Sequence, residues 1–345
     1  MTEPVRYAAT GVDIDATDAA KRRMAEAVDV GDPRVFNRLG AFASLVDGRF
    51  PRFDEPVLVL KTDEPGSKQK LAFELDRVES LCEDLVNHLL NDVAVMGAHP
   101  LYVLDCIVCG RFDGDVVHRL VAGMATACRV QEAVLVGGET SVQPGVVQPG
   151  LYVLSASAVG VAERTQIVDG SAIRPGDVVL AVASSGLHTN GYTLVRALLE
   201  REPSLAHRQL EGGAFVDLVM RPHTCYYRAM RGLFGRPGLR GLAHVTGGGV
   251  RDNLVRILPT MVDAHLDLGA LRIPEIFAVI RDEGTVSDED MLRTFNLGCG
   301  LLVVCAVDEA EAVSAHFQGE GHDCWTVGRI SEGMGQVLLE GELPW

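Results

Sequence analysis

A carboxylate, a flexible glycine, a hydroxyl and an ammonium crowd into Thr62-Asp63-Glu64-Pro65-Gly66-Ser67-Lys68, just after the apolar run Pro56-Val57-Leu58-Val59-Leu60. The pattern reads as a buried strand opening into a turn at a sheet edge. Such a mixture suits a nucleotide phosphate with its metal. The backbone can approach an anion at Gly66, Ser67 adds a hydroxyl, Lys68 can neutralise charge, and Asp63 can hold a hard cation such as Mg²⁺. Glu64 adds a negative charge to this loop, and Pro65 removes an N–H donor.

Four more segments carry chemistry. Gly137-Gly138-Glu139-Thr140 follows the apolar Ala133-Val134-Leu135-Val136 and predicts a turn presenting a carboxylate and a hydroxyl at a strand's C-terminal end, where ligands collect in open α/β sheets. Asn91-Asp92 interrupts an apolar helical run. Either it hydrogen-bonds within the core or it offers oxygen ligands to a cation. Asp84 lies two helical turns earlier, so Asp84 and Asp92 can share a face. Ser184-Ser185-Gly186-Leu187-His188-Thr189-Asn190-Gly191-Tyr192 joins a strand to a helix with more polar groups than N-capping needs, which favours anion or substrate binding. His188 there can transfer a proton or simply bond the loop. Thr246-Gly247-Gly248-Gly249 before a helix reads as an anion nest or a plain loop.

These groups need an α/β frame. Strands are predicted over 57–61, 101–109, 133–136, 151–161, 178–183 and 301–307, and helices over 16–28, 74–96, 115–128, 190–200 and 250–258. The turn-rich stretch 167–177 divides residues 1–169 from 170–345, giving two domains. A chain of 345 residues with 47% apolar residues can build both cores. A net charge of −16 excludes a broad nucleic-acid surface. No apolar run is long enough for a membrane span and no signal peptide is read, so the cytoplasm is the expected compartment. The eight cysteines read as core thiols, and Cys106-Ile-Val-Cys109 lacks a second pair to complete a zinc site.

Taken in order, the segments resemble aminoimidazole ribonucleotide synthetase, the phosphoribosylformylglycinamidine cyclo-ligase of purine biosynthesis. The landmarks run nearly end to end. They include Gly11-Val-Asp-Ile-Asp15, the 62–68 loop, Asp84-Leu-Val-Asn87, Asn91-Asp92, Gly97-Ala-His-Pro100, Leu104-Asp105, Gly137 to Thr140, His188, His244-Val-Thr-Gly-Gly-Gly249 and residues 293–300.

The resemblance implies an N-terminal sheet domain that dimerises with its twin, a C-terminal α/β domain, and a cleft between them that binds ATP and Mg²⁺. The implied substrate is formylglycinamidine ribonucleotide. Carried over by position, Asp63, Gly66, Ser67, Lys68, Asp84, Gly137, Gly138, Glu139 and Thr140 look like nucleotide residues, with Asp63, Asp92 and Glu139 as metal ligands. Lys68, Asp92 and His188 look catalytic. Gly40, Ser44, Ser185, His188, Asn190, Gly247 and Gly248 look like substrate contacts.

The chain also departs from the family's pattern. Glu64-Pro65 replaces Gly-Val in the first loop, and Val142 and Val153 stand where carboxylates are usual near the metal. Drift beside an intact site and a rebuilt site are both open, as are a paralogue acting on another amide or carboxylate and a non-catalytic regulatory homologue.

Overall fold

The computed structural model describes Val28, residues 31–37 and residues 42–345. The landmark at 11–15, most of the helix expected over 16–28, and Gly40 lie outside them.

A four-stranded sheet carries the first half: β1 (Pro56–Asp63), β2 (His99–Cys109), β3 (Val134–Val142) and β4 (Tyr152–Glu163) in the order β1-β4-β2-β3. β2 and β3 run parallel, and β4 pairs antiparallel with both β1 and β2. Helices α2 (Val78–Ala94) and α3 (Gly114–Val130) cover one face, and their apolar stripes build a core around Leu85, Leu89, Ile107, Leu120 and Leu154. On the other face of the sheet Leu58 and Leu60 stay 56% and 72% exposed, and further along the sheet Leu104 and Val153 are 38% and 37% exposed.

The periodic run 74–96 predicts one helix, and α2 fills most of it; a further short helix, which the periodicity does not predict, precedes it. α1 (Lys68–Glu74) ends at Leu75, Asp76 turns left-handed at φ 53, and α2 starts at Val78. No glycine or proline marks the break, because aspartate tolerates that conformation.

The segment Gly137-Gly138-Glu139-Thr140 is also not a turn. It continues β3, with Leu104 opposite Gly137 and Asp105 opposite Gly138. The glycines are there for close approach, since a Cβ on Gly138 would lie 2.2 Å from the Asp105 carboxylate.

The second half forms a six-stranded sheet. Its strands are β5 (Val178–Ala183), β6 (Leu239–His244), β7 (Val262–Asp267), β8 (Cys299–Cys305), β9 (Cys324–Glu332) and β10 (Val337–Glu340), in the order β10-β7-β9-β5-β8-β6. β8 is buried throughout, which matches its unbroken apolar sequence. Helix α4 (Tyr192–Arg201) follows the 184–191 loop. Its Tyr192, Val195 and Leu198 join the same apolar cluster as α2 and α3, so the two halves share core.

All eight cysteines are free. Cys106 and Cys109 fall on opposite faces of β2, as residues three apart in a strand must.

Candidate active site

Helix α2 fixes the geometry of the cleft. Asp84, His88 and Asp92 recur at four-residue spacing and share one face, flanked by Ser80, Asn87 and Asn91. This polar stripe meets the segment 220–226 of the second half. Ser80 Oγ donates to the Met220 carbonyl (2.7 Å), Asn87 Nδ2 to His223 O (2.7 Å) and Asn91 Nδ2 to Thr224 O (2.8 Å). The backbone N–H of His223 donates to Asp84 and that of Tyr226 to Asn91 Oδ1, each at 2.8 Å. Of the two readings open for Asn91, the core hydrogen bond is the one found. The amides on α2 satisfy backbone groups that would otherwise be buried without partners.

Lys68 is fully buried at the start of α1. Its ammonium donates to Asp84 Oδ1 (2.9 Å), the Arg221 carbonyl (2.8 Å) and the His188 carbonyl (3.3 Å), and lies 5.4 Å from the Tyr192 ring centre. Asp84 Oδ2 is 2.7 Å from the same nitrogen but makes no hydrogen bond. Every ammonium proton is committed inside the protein. In this conformation Lys68 therefore has no free donor for a phosphate, contrary to the role expected of it. Burial pulls Lys68 below its usual range and pushes Asp84 up to about 6, with their pairing offsetting part of each shift.

A second charged group opens towards the cleft. Along β1 the inward positions Val57 and Val59 give way to Lys61 and Asp63. The Lys61 ammonium sits between two carboxylates, 2.9 Å from Asp63 and 2.8 Å from Asp92. Burial works against its charge, but the two acids hold it above the ordinary lysine value. Asp92 also accepts from His244 Nδ1 at 2.6 Å. Burial opposes ionisation of Asp92, yet the bonds from His244 and Lys61 and the nearby His88 hold it well below the usual carboxylate range.

Histidines continue the chain. His244 Nε2 and His223 Nε2 are 2.8 Å apart, and the His223 ring stacks on His188 with centres 3.8 Å apart. His88 Nε2 lies 3.3 Å from Asp63, and its Nδ1 lies 3.1 Å from Thr189 Oγ1. Burial keeps His188 and His223 far below the ordinary imidazole value and lowers His88 to about 4. The Nδ1 atoms of His188 and His223 are buried without a partner. His188 adopts a left-handed backbone at φ 60, an uncommon conformation for a side-chain-bearing residue that clusters at functional sites.

The remaining expected residues divide into groups. Gly66 and Ser67 pack against the second half: a Cβ on Gly66 would lie 3.3 Å from the Thr189 carbonyl, and Ser67 Oγ is 3.2 Å from Thr193 Oγ1. Ser185 Oγ donates to the Pro222 carbonyl at 2.7 Å. Asn190 and Gly247 are close, with Asn190 Oδ1 3.3 Å from where a Gly247 Cβ would be. Gly248 N–H already donates to the Arg293 carbonyl and Gly249 N–H to Thr246 O, which leaves less of a nest than the glycines suggest.

Ser44, Gly137 and Glu139 lie elsewhere. Ser44 Oγ donates to the Val136 carbonyl at 2.7 Å, and Glu139 is exposed opposite Cys106. Successive side chains alternate faces, so Glu139 points to the face opposite that of Gly138 and Asp105. It does not join Asp63 and Asp92 as a third ligand. Thr140 stays on the inner face, opposite Ile107. Val142 pairs with Cys109 and Val153 with Val108, several residues along the sheet from the row Asp63–Ala156–Asp105–Gly138. Their loss of charge does not fall on the Asp63–Asp92 pair.

Two family models match the chain: "AIR synthase related protein, N-terminal domain" over residues 46–162 and the C-terminal domain over residues 174–339. A phosphoribosylformylglycinamidine cyclo-ligase of Bordetella pertussis is 40% identical over 97% of this chain and 98% of its own. That of Methylobacillus flagellatus is 38% identical over 96% of each. The chain belongs to the AIR synthase related family.

Solved structures share the fold. A thiamine-monophosphate kinase from Stenotrophomonas maltophilia superposes with a TM-score of 0.69 at 21% identity, over 96% of this chain and 97% of its own. Hydrogenase maturation protein HypE in complex with ATP gives 0.64 at 20%, over 92% and 88%.

Within this AIR synthase fold, sequence reasoning passed over Lys61, His88 and His223 and treated Asp105 and His244 only as landmarks. One signal was available: Lys61 breaks the inward apolar alternation of β1. The His88 position on the Asp84–Asp92 face was a second.

Proposed function

We propose that the chain is an ATP-dependent cyclo-ligase that converts formylglycinamidine ribonucleotide to aminoimidazole ribonucleotide in purine biosynthesis. The observation that carries this is the identity of about 40% with cyclo-ligases over nearly the whole of both chains. In this reaction ATP phosphorylates the formyl amide oxygen, because an amide oxygen leaves poorly until it is esterified. The amidine nitrogen then attacks that carbon, phosphate departs, and the ring closes. Little covalent chemistry falls to the protein, which must position the two reacting groups and neutralise charge.

The cleft at α2 suits that task. Lys61 supplies positive charge at its mouth. Asp92 orients His244, which meets His223 ring to ring, and such a carboxylate-held imidazole chain can carry the proton that the amidine nitrogen loses. Ser185, Asn190 and Gly247 are read as substrate contacts, with ATP on the β1 side.

Mg²⁺ is the ion read alongside ATP. Its expected ligands do not fit it as they stand: Lys61 bridges Asp63 and Asp92, Asp92 is also bonded by His244, and Glu139 lies on the other face. Two identical chains are read to pair through the sheet face bearing Leu58 and Leu60, whose exposed apolar side chains suit an interface. No helix among the described residues is long and apolar enough to cross a membrane.

The test is direct. Purified protein given formylglycinamidine ribonucleotide, ATP and Mg²⁺ should release ADP and phosphate as aminoimidazole ribonucleotide appears. A folded protein that forms none would overturn the reading.

A further inference from the structure

The family of ATP-using enzymes implies a divalent ion at the paired aspartates of this cleft, and this chain has put something else there. We propose that Lys61 is a resident cation: its ammonium takes the place of a protein-held divalent ion between Asp63 and Asp92 and offers its remaining N–H to the nucleotide's phosphate. The proposal rests on the reading of ATP as the ligand.

Three observations support it. The ammonium is near-equidistant from the two carboxylates, at 2.9 and 2.8 Å, as a bridging ion would be. The side chain is 31% exposed and those of Asp63 and Asp92 are 24% and 19% exposed, so the group is sheltered but open to the cleft. An ammonium has three protons, and two are directed at these acids, which leaves one for an incoming anion. Lys68 is fully buried with all its donors in use. Of the two lysines at this loop, Lys61 is the one able to meet a phosphate.

The charge balance agrees. His244 is the imidazole nearest the pair, with Nδ1 2.6 Å from Asp92 Oδ1, and the lysine ammonium lies between the two acids. The two carboxylates with one lysine therefore keep less negative charge than a bare pair. Mg²⁺ would have to displace a charge already in place and would gain only one unit by doing so. Affinity for such ions follows ligand charge and number.

Two measurements test this without turnover. Mn²⁺ binding is read by electron paramagnetic resonance on nucleotide-free protein. The wild type should bind Mn²⁺ weakly, and Lys61→Met, which keeps the stem but exposes both carboxylates, should bind it at least about tenfold more tightly. Lys61→Arg keeps the charge and should behave as the wild type, which separates loss of the cation from general damage. Calorimetry with a non-hydrolysable ATP analogue in EDTA is the second measurement. The wild type should retain binding, while Lys61→Met should lose about tenfold and recover it when Mn²⁺ is supplied.

Equal Mn²⁺ affinity in wild type and Lys61→Met overturns the proposal, as does wild-type nucleotide binding that vanishes in EDTA and returns with Mn²⁺. If the Mn²⁺ contrast holds while neither protein binds the analogue under any condition, the resident cation stands and the ATP reading fails.

Discussion

Lys68 with Asp84 and Lys61 with Asp63 and Asp92 use the same side chains, and Asp84 and Asp92 lie two turns apart on one face of α2. The first group is fully buried and closed: its lysine bonds one carboxylate and two carbonyls from the other half of the chain. The second is partly exposed, its lysine bonds two carboxylates, and one of those acids is tied to a histidine chain. Burial decides the difference. In the dry group desolvation weakens both charges and the pair acts as a bolt between the halves, while in the wetter group the carboxylates win and the lysine stays charged. A lysine beside an aspartate is therefore not a function in itself; what its remaining protons face determines whether it holds the fold or meets a ligand.

The largest effect should come from breaking the bolt. Lys68→Met leaves Asp84 buried without its cation, which typically costs about 3–5 kcal/mol. Chemical denaturation should show that loss. Lys68→Met combined with Asp84→Leu should recover much of it, because removing both charges also removes their desolvation cost. If Lys68→Met is as stable as the wild type but loses nucleotide affinity, the assignment of the two lysines is reversed.

Asp92→Asn tests the open group. It removes one anion from Lys61 and puts a neutral amide in place of the charged acceptor that orients His244, so turnover should fall by about a hundredfold, the usual scale for a positioned proton-transfer group. Stability should change far less than in Lys68→Met, because Asp92 remains partly exposed. Comparison of kcat with the denaturation midpoint separates the two outcomes, and a fall in both together would make Asp92 a second bolt.

Much of this contrast was legible in the sequence, and some of it was not. The strands of β1, β2, β4 and β5 follow their apolar runs closely because apolar alternation reports burial directly. Asp63, Asp84, Asp92, His188 and Asn190 stand out as polar residues at positions where a plain core would have apolar ones. Exposure could not be read, and it is exposure that separates Lys68 from Lys61. The glycines at 137 and 138 misled because glycine marks a turn and a close approach equally well; here Asp105 needs the space. Asp76, which separates α1 from α2, has an ordinary identity and an unusual φ. His223 was invisible, since it is brought to His244 only by the docking of 220–226 on α2.

Acid should act on the histidines of the open group before it acts on the bolt. A histidine whose folded value is lowered stays neutral in the folded state while the unfolded chain takes up a proton, so its contribution is present above the unfolded value of 6.5 and is lost as pH falls towards about 4 for His88. From His88 alone the loss at pH 5 is about 2 kcal/mol. His188 and His223 add to it in the same direction. Asp84 has the opposite sign: its folded value is raised to about 6, so between the unfolded carboxylate value and about 6 it favours folding as pH falls. Three imidazoles outweigh one carboxylate, and the melting temperature should drop between pH 7 and pH 5. His88→Met should flatten that drop, and an unchanged profile in His88→Met would show that the ring is not held neutral.

The smallest effect should come from the amide that touches neither charged group. Asn87 donates to the His223 carbonyl at 2.7 Å and is half-buried. Asn87→Ala removes one donor from a single backbone carbonyl, so the cost should be about 1 kcal/mol. It lies one residue from His88 on α2, but its bond is to the backbone of 220–226 and not to the Asp92–His244 chain. Turnover should therefore stay within about twofold once folding is matched, since no group that handles charge has moved. A larger loss of turnover than of stability would mean that the carbonyl bond sets where the His223 ring stands. The docking stripe and the open group would then be one device, and the separation drawn between bolt and site would have to be redrawn along α2.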